Sequence, residues 1–316
     1  MTVTVEQARL DLELHERPVV DKRVSARTAV GLVHDGDTVA IGGTLYSRTP
    51  MALVFELLRS GRRALTISRS LTCYEADLFL VTGTAERLVT SWVGIGLPWG
   101  LSPVLRHYVE NGLATYEEWS HLALGLRYKA GAMGVPFLPT MTMLGSDLAR
   151  QVKAVSVCCP YTGQELLAVP ALVPDVTLLH VHRADMYGNA QVDGYTHMDV
   201  DMARASRRVV VSAEEIVDPA EITATPDRTI LPHFAVDAVV EAPFGAYPHE
   251  CYGRYEADTQ HFDSYVALLR EHGPDEGVRR YIESNVTAYE DFEGFLRHVG
   301  SERLAELGRL AQELTT

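Results

Sequence analysis

The 316-residue chain carries 42 acidic against 28 basic residues, a formal net charge of −14, with 47% hydrophobic residues. That balance excludes nucleic acid and anionic membrane as main partners, so an anionic substrate needs a local positive site. No apolar run is long enough to span a bilayer, and the length suffices for one large or two modest α/β domains.

Short β-rich runs alternate with helical ones. Val39 to Ile41 reads as a strand running into Gly42-Gly43, and Pro50 opens the apolar-periodic helix Met51 to Leu58. Ala64 to Ser68 and Arg87 to Val93 read as strands. Pro103 to Glu110 reads as a helix stopped by Asn111-Gly112, a pair suited to a left-handed C-cap. Leu113 to Tyr116 is a short strand, and Glu118 to Met133 a helix ended by Gly134, Pro136 and Pro139. Val176 to Val181 and Arg208 to Val211 are strands, with Met198 to Arg204 a short helix between them. From about Asp258 the chain turns helical, over Phe262 to Glu271, Glu276 to Ser284, Ala288 to His298 and Glu302 to Leu314. The rhythm predicts an α/β fold, a doubly wound and mostly parallel sheet with a helical C-terminal extension. The organisation expected is an N-terminal extension (1–24), an α/β domain (25–257) and C-terminal helices (258–316) packed on the same domain.

The start of the chain has neither a basic n-region nor an apolar h-region, so no signal peptide is expected. Cys73, Cys158, Cys159 and Cys251 form no Cys-x-x-Cys pair, which points to a reduced, cytoplasmic protein. The histidines show no metal-ligand spacing, and His180 and His182 alternate on one strand as core or interface residues. Gly94-Ile95-Gly96 lacks the third glycine of a dinucleotide fingerprint.

The stretch Asp35 to Pro50 carries the candidate chemistry. Paired glycines let backbone N–H groups approach a ligand, so Gly42 and Gly43 are candidates for holding an anion or oxyanion; the bland reading is an ordinary βα turn. Arg48 is a candidate partner for a substrate carboxylate, against a solvated or helix-capping arginine. Ser68, Arg69 and Ser70 follow a strand end, where open α/β sheets place ligands. Glu118 sits at an expected helix start. Its carboxylate either meets the helix dipole or acts as a general base with a raised pKa. Asp185 to Ala190 reads as a tight turn supporting a subunit contact.

These residues resemble the A-subunit side of the class I CoA-transferase family, in its glutaconate branch. The A-side signature runs from Asp-Gly through an apolar strand to Gly-Gly-Phe and on to Gly-x-Pro. Here Thr44 stands for the Phe and Arg48 for the Gly, and Arg-x-Pro is similar to the glutaconate branch. Val135 to Pro139, Leu144 to Leu148, Val236 to Pro243 and Gly245 to Gly253 agree with it. The resemblance implies a two-subunit enzyme. A glutamate of a partner B subunit would attack the thioester, giving an anhydride and then a glutamyl-CoA thioester. No permanently bound cofactor is implied; a coenzyme A thioester and a carboxylic acid are the substrates, and the assembly is a heterotetramer or larger. Val109-Glu110-Asn111-Gly112 is similar to the B-side Ser-Glu-Asn-Gly motif, but Val109 replaces the serine and the segment ends a helix. The chain is therefore expected to lack its own nucleophile. Two alternatives stand beside this. One is a two-subunit hydrolase of an acyl-CoA ring, or a decarboxylase, on the same fold, where an acidic residue matching Glu118 looks functional. The other is a non-catalytic acyl-CoA-binding protein.

Overall fold

The computed structural model describes Gln7, Leu10 and residues 18–96 and 98–315. Much of the expected N-terminal extension lies outside the described residues. After helix α1 (Ala26–Val30), strand β1 (Thr38–Ile41) enters the centre of a sheet. Its Val39, Ala40 and Ile41 are buried, as a strand covered on both faces requires. Helix α2 (Met51–Arg59) follows with Pro50 at its N-cap, where a missing N–H costs nothing. Then come β2 (Leu65–Thr72), α3 (Glu75–Val81), β3 (Ala85–Gly96), β4 (Gly100–Leu101), α4 (Pro103–Glu110), β5 (Thr115–Glu118) and α5 (His121–Met133). A second group holds β6 (Phe137–Thr140), α6 (Asp147–Gln151), β7 (Val155–Cys158) and β8 (Glu165–Pro170). The chain returns through β9 (Val176–Ala184), β10 (Ala190–Gln191), α7 (Asp199–Ala205), β11 (Arg208–Ile216), α8 (Pro219–Ala224), β12 (Thr229–Leu231) and β13 (Ala238–Glu241). It ends in α9 (Thr259–His272), α10 (Pro274–Ile282), a π-helical turn (Glu283–Thr287), α11 (Phe292–Val299) and α12 (Ser301–Thr315).

Neighbouring strands pair in parallel in the order β13-β11-β9-β1-β2-β3-β5, while β4 and β10 add antiparallel at strand ends and β12 pairs β10. The chain winds outward from β1 to β5, then restarts beside β1 with β9 and winds the other way. The sheet order thus reverses between β1 and β9, with Ala40 opposite Thr177. At such a switch point connections diverge and leave a crevice beyond the carboxyl ends of the strands, where doubly wound sheets bind ligands. The expected parallel, doubly wound α/β architecture with a helical C-terminus is what forms.

Five local readings change. Strand β2 runs on to Thr72, so Ser68, Arg69 and Ser70, which read as following a strand end, lie inside it. The strand expected over 113–116 runs instead to Glu118, because Glu117 and Glu118 pair with Val89 and Thr90 of β3. The helix start moves to His121, where the Ser120 hydroxyl accepts the Ala123 amide at 3.2 Å. Residues 137–170 hold a separate three-stranded antiparallel sheet in the order β6-β8-β7. Pro139 had read as a helix terminator; it lies on edge strand β6, where its missing donor is tolerated. The last expected helix but one begins at Phe292, not 288, because the Asp291 carboxylate accepts the Gly294 amide at 2.7 Å.

No separate core supports the C-terminal helices. Phe262, Tyr265, Tyr281 and Phe295 belong to the same buried cluster as Val39, Ile41, Phe55 and Phe79. Phe55 of α2 meets Phe292 and Phe295 of α11 with ring centroids 5.4 and 5.2 Å apart. Burial of such a ring contributes about 1.5–3 kcal/mol. This packing fixes α2, and with it the turn that leads from β1.

Candidate functional site

At the switch point the chain leaves β1 through Gly42-Gly43. The Gly42 amide donates to the Leu178 carbonyl of β9 at 2.9 Å. The Gly43 amide donates to Asp199 Oδ1 at 2.8 Å. Gly43 has φ +68°, and a Cβ there would lie 2.1 Å from the Ser47 carbonyl oxygen; one on Gly42 would lie 2.3 Å from Leu179 Cδ2. Gly43 is therefore required by the chain's own packing, and a Cβ on Gly42 would have to displace the buried Leu179 side chain. Because both amides already donate within the chain, neither is free as the oxyanion donor that the sequence suggested.

Arg48 also turns inward. With only 1% of its surface exposed, it donates Nη1 to the His180 carbonyl (2.9 Å) and Nη2 to the Tyr195 carbonyl (2.7 Å). Its Nη1 lies 2.8 Å from Asp199 Oδ2, an ion contact without hydrogen-bond alignment, since that oxygen has no aligned donor. One carboxylate thus holds both the Gly43 amide and the Arg48 guanidinium. This buried knot, not a substrate carboxylate, is what Arg48 serves in the chain.

Ser68 and Arg69 are sealed in the core. Ser68 Oγ donates to the Val89 carbonyl at 3.1 Å and meets the Tyr128 hydroxyl at 2.6 Å. Arg69 pairs with Glu75 and donates to Thr49 Oγ1 at 2.8 Å. Ser70, one register step nearer the carboxyl edge, heads a row of hydroxyls. Its Oγ lies 3.1 Å from Thr44 Oγ1, and its carbonyl accepts from Thr90 Oγ1 (3.0 Å) and Ser91 Oγ (2.6 Å). Thr44 and Ser91 are half-buried, so the row reaches the crevice.

The row leads to Glu118. The adjacent Glu117 is structural: it takes Arg127 Nη1 at 2.6 Å and Trp119 Nε1 at 2.7 Å, and pairs with Arg87. Burial pushes its pKa up, but Arg127, Trp119 and Arg87 together outweigh that and hold it below the usual range. Glu118 is half-buried and makes no ion pair among the described residues. It lines a cleft of about 500 Å³ with Ser91, Trp92, Leu101, Arg106 and Glu110. Glu110 is the last residue of α4, capped by Asn111 and followed by Gly112 at φ +67°, so the Glu-Asn-Gly tripeptide is a helix end as expected.

His197 was missed. The fold places it, at φ +49°, two residues before Asp199, and leaves it exposed. Partial desolvation by the surrounding protein, then the Arg48 charge, push its pKa down to about 4, so the ring is neutral at physiological pH. No spacing in the sequence signals it. His180 is a satisfied core residue, bridging Ser212 Oγ (2.9 Å) and Glu214 Oε1 (2.6 Å). Asp185 closes its turn by accepting the Tyr187 and Asn189 amides, both at 2.9 Å.

Two groups have ligand atoms within 4.8 Å of one another: Cys73, Glu75 and His249, and His180, Glu214 and Cys251. In the second, both ring nitrogens of His180 are already used. In the first, Glu75 is tied to Arg69, yet Glu75 Oε2, Arg69 Nε and both nitrogens of His249 lack partners.

A family described as coenzyme A transferase matches residues 23–242. The chain belongs to the coenzyme A transferase family. A relative from Archaeoglobus fulgidus is 39% identical over 299 residues, covering 94% of this chain, which spans 66% of that relative's length. The A subunit of the 3-oxoadipate CoA-transferase of Pseudomonas knackmussii is 34% identical over 83% of this chain and 92% of its own. The A subunit of the glutaconate CoA-transferase of Acidaminococcus fermentans is 30% identical over 87% of this chain and 90% of its own. The crystal structure of the Acidaminococcus enzyme superposes with a TM-score of 0.86, covering 90% of this chain and 95% of that one. The resemblance read from the Gly-Gly motif and the blocks at 135–148 and 236–253 is thereby borne out, and the chain is of the CoA-transferase A-subunit type. Among the described residues no helix is long and apolar enough to cross a membrane.

Proposed function

We propose that this chain is the A subunit of a heteromeric CoA-transferase that moves CoA between a dicarboxylic acyl-CoA and a carboxylic acid. One observation carries the reading. At the carboxyl edge of a CoA-transferase A-type sheet, this chain offers a hydroxyl row (Thr44, Ser70, Ser91) and Glu118 beside an open cleft, while its Glu-Asn-Gly segment ends a helix. The nucleophilic glutamate is therefore assigned to a partner B subunit, as the family resemblance implies. Both named transferase relatives act, by name, on dicarboxylic acids, which supports that substrate class.

In this reading the partner's carboxylate adds to the thioester carbonyl and expels CoA thiolate, leaving a mixed anhydride. The thiolate then attacks the glutamyl carbonyl, releasing the first acid as its carboxylate and forming the glutamyl-CoA thioester; a second acid reverses the sequence. Gly42 and Gly43 set the course of the loop above the crevice, and Arg48 fixes that loop through Asp199. Ser70 and its neighbouring hydroxyls face the carboxylate oxygens, and Ser68 and Arg69 support β2 from below. Coenzyme A enters and leaves as substrate, and a reduced, cytoplasmic setting suits the four free cysteines.

The test is co-expression with the protein encoded beside it, followed by transfer from glutaryl-CoA to acetate. Acetyl-CoA formed only by the pair, with a borohydride-sensitive thioester on the partner, is expected. Release of free CoA, CO2 or a ring-opened product by the pair would instead assign hydrolysis or decarboxylation. Binding of CoA esters without a partner or turnover would overturn the enzymatic reading.

A further inference from the structure

We infer that Arg106 is the specificity residue that recognises the second carboxylate of the acyl group. This rests on the transferase reading and replaces Arg48 in the role first suggested for it. A dicarboxylic acyl chain presents a free carboxylate some distance from the thioester, and in a chain of net charge −14 it needs one local cation. The buried arginines near the crevice are committed. Arg48 contacts Asp199, Arg69 contacts Glu75, and Arg127 contacts Glu117 together with Arg87. Arg183 and Arg228 both close on Asp193.

Arg106 differs. It is exposed on α4 and lines the cleft into which Ser91 and Glu118 open. Among the described residues its guanidinium makes no ion pair, not even with Glu110 one turn later, whose carboxylate lines the same cleft. The cleft has the amphipathic sequence that a dicarboxylic acyl group would need. Ser91 and Glu118 lie at the strand edge, Trp92, Val93, Leu101, Leu105 and Val109 supply apolar wall, and the guanidinium stands on the helix side. With Glu110 and Glu118 both lining the cleft, a second carboxylate on the ligand would be repelled unless Arg106 met it. A planar guanidinium does so with two parallel N–H···O bonds, which an ammonium cannot reproduce.

The experiment compares kcat/KM of the chain with its B subunit for glutaryl-CoA and valeryl-CoA, esters of equal chain length, in wild type, Arg106→Gln and Arg106→Lys. Loss of a charged hydrogen-bonded contact predicts a roughly 10- to 100-fold fall for glutaryl-CoA with Arg106→Gln, mostly in KM. Valeryl-CoA is expected to be unchanged, and Arg106→Lys to recover only part of the loss. An equal loss on both esters would place Arg106 on CoA or on the partner, and no loss on either would leave it a solvated arginine; both overturn the inference while the transferase reading stands. Wild type that transfers neither ester would sink the transferase reading instead. Calorimetric binding of the two esters to wild type and Arg106→Gln then decides separately: discrimination that disappears in the variant upholds the inference, and no discrimination ends it.

Discussion

Removing the Asp199 carboxylate tests whether the buried knot at the switch point holds the loop together. In Asp199→Ala the Arg48 guanidinium, 1% exposed, keeps only the His180 and Tyr195 carbonyls, and the Gly43 amide loses its acceptor. Stranding one charge of a buried pair costs about 3–5 kcal/mol. The lost amide acceptor would cost about 1–3 kcal/mol alone, but the two losses share one carboxylate and do not add. The expected total is therefore about 3–5 kcal/mol, a fall in Tm of about 6–10 °C at roughly 2 °C per kcal/mol. Asp199→Asn keeps an oxygen for Gly43 and removes only the charge, so it should fall less. Arg48→Met with Asp199→Leu removes both charges, and apolar replacement of a buried pair is often neutral. That double variant should regain most of the loss, although the Gly43 amide stays unpaired. Thermal and urea unfolding of these three variants, with Arg48→Met and Asp199→Leu each alone, completes the cycle. Single variants within 2 °C of wild type, or a double variant worse than the sum of the singles, would refute the reasoning.

Asp77 is wholly buried, and burial raises its pKa to about 7 despite donors at Ser102 Oγ (2.5 Å) and Tyr265 OH (2.8 Å). The folded protein holds this proton where the unfolded chain has lost it, so the group's contribution falls as pH rises from about 4 through about 7. Asp77→Asn should therefore gain stability relative to wild type over that window in urea titrations, and a constant difference across it would contradict the assignment. His249 is fully buried among Tyr46, Tyr74 and Phe262 with neither ring nitrogen paired. His249→Phe should raise stability by about 1–3 kcal/mol, read as an increase in Tm, whereas a decrease would reveal a bridging water or ion in the Cys73–Glu75–His249 group. Glu118→Gln should leave CoA transfer within about tenfold of wild type, because the proposed sequence needs no proton removed at that position. Complete loss of turnover with release of free CoA in the wild type would make Glu118 a general base and the enzyme a hydrolase.

The sheet was legible because its strands are dense in β-branched residues and its helices carry plain stops, as at Asn111-Gly112 and Gly134. The edge strand with Pro139 was not, because a proline reads as a breaker until its place at the edge of a sheet is known. Glu118 shows the same limit: nothing local tells a strand end from a helix start, and the decision lies with Thr90 across the ladder. The Gly-Gly motif pointed to the right family, and what the sequence could not show is that both its amides are donated within the chain. Its glycines answer to Ser47, Leu179 and Asp199, and the latter two come from segments far along the chain. Arg48 and Arg106 make the point most sharply. An arginine beside a glycine motif looks like a ligand residue, and one on an exposed helix looks solvated. Tertiary contacts overturn the first impression, since the Arg48 guanidinium is turned inward onto two carbonyls and the Asp199 carboxylate. The inference drawn for Arg106 rests on its making no ion pair among the described residues while lining the cleft, and reaching it requires the whole set of ion pairs.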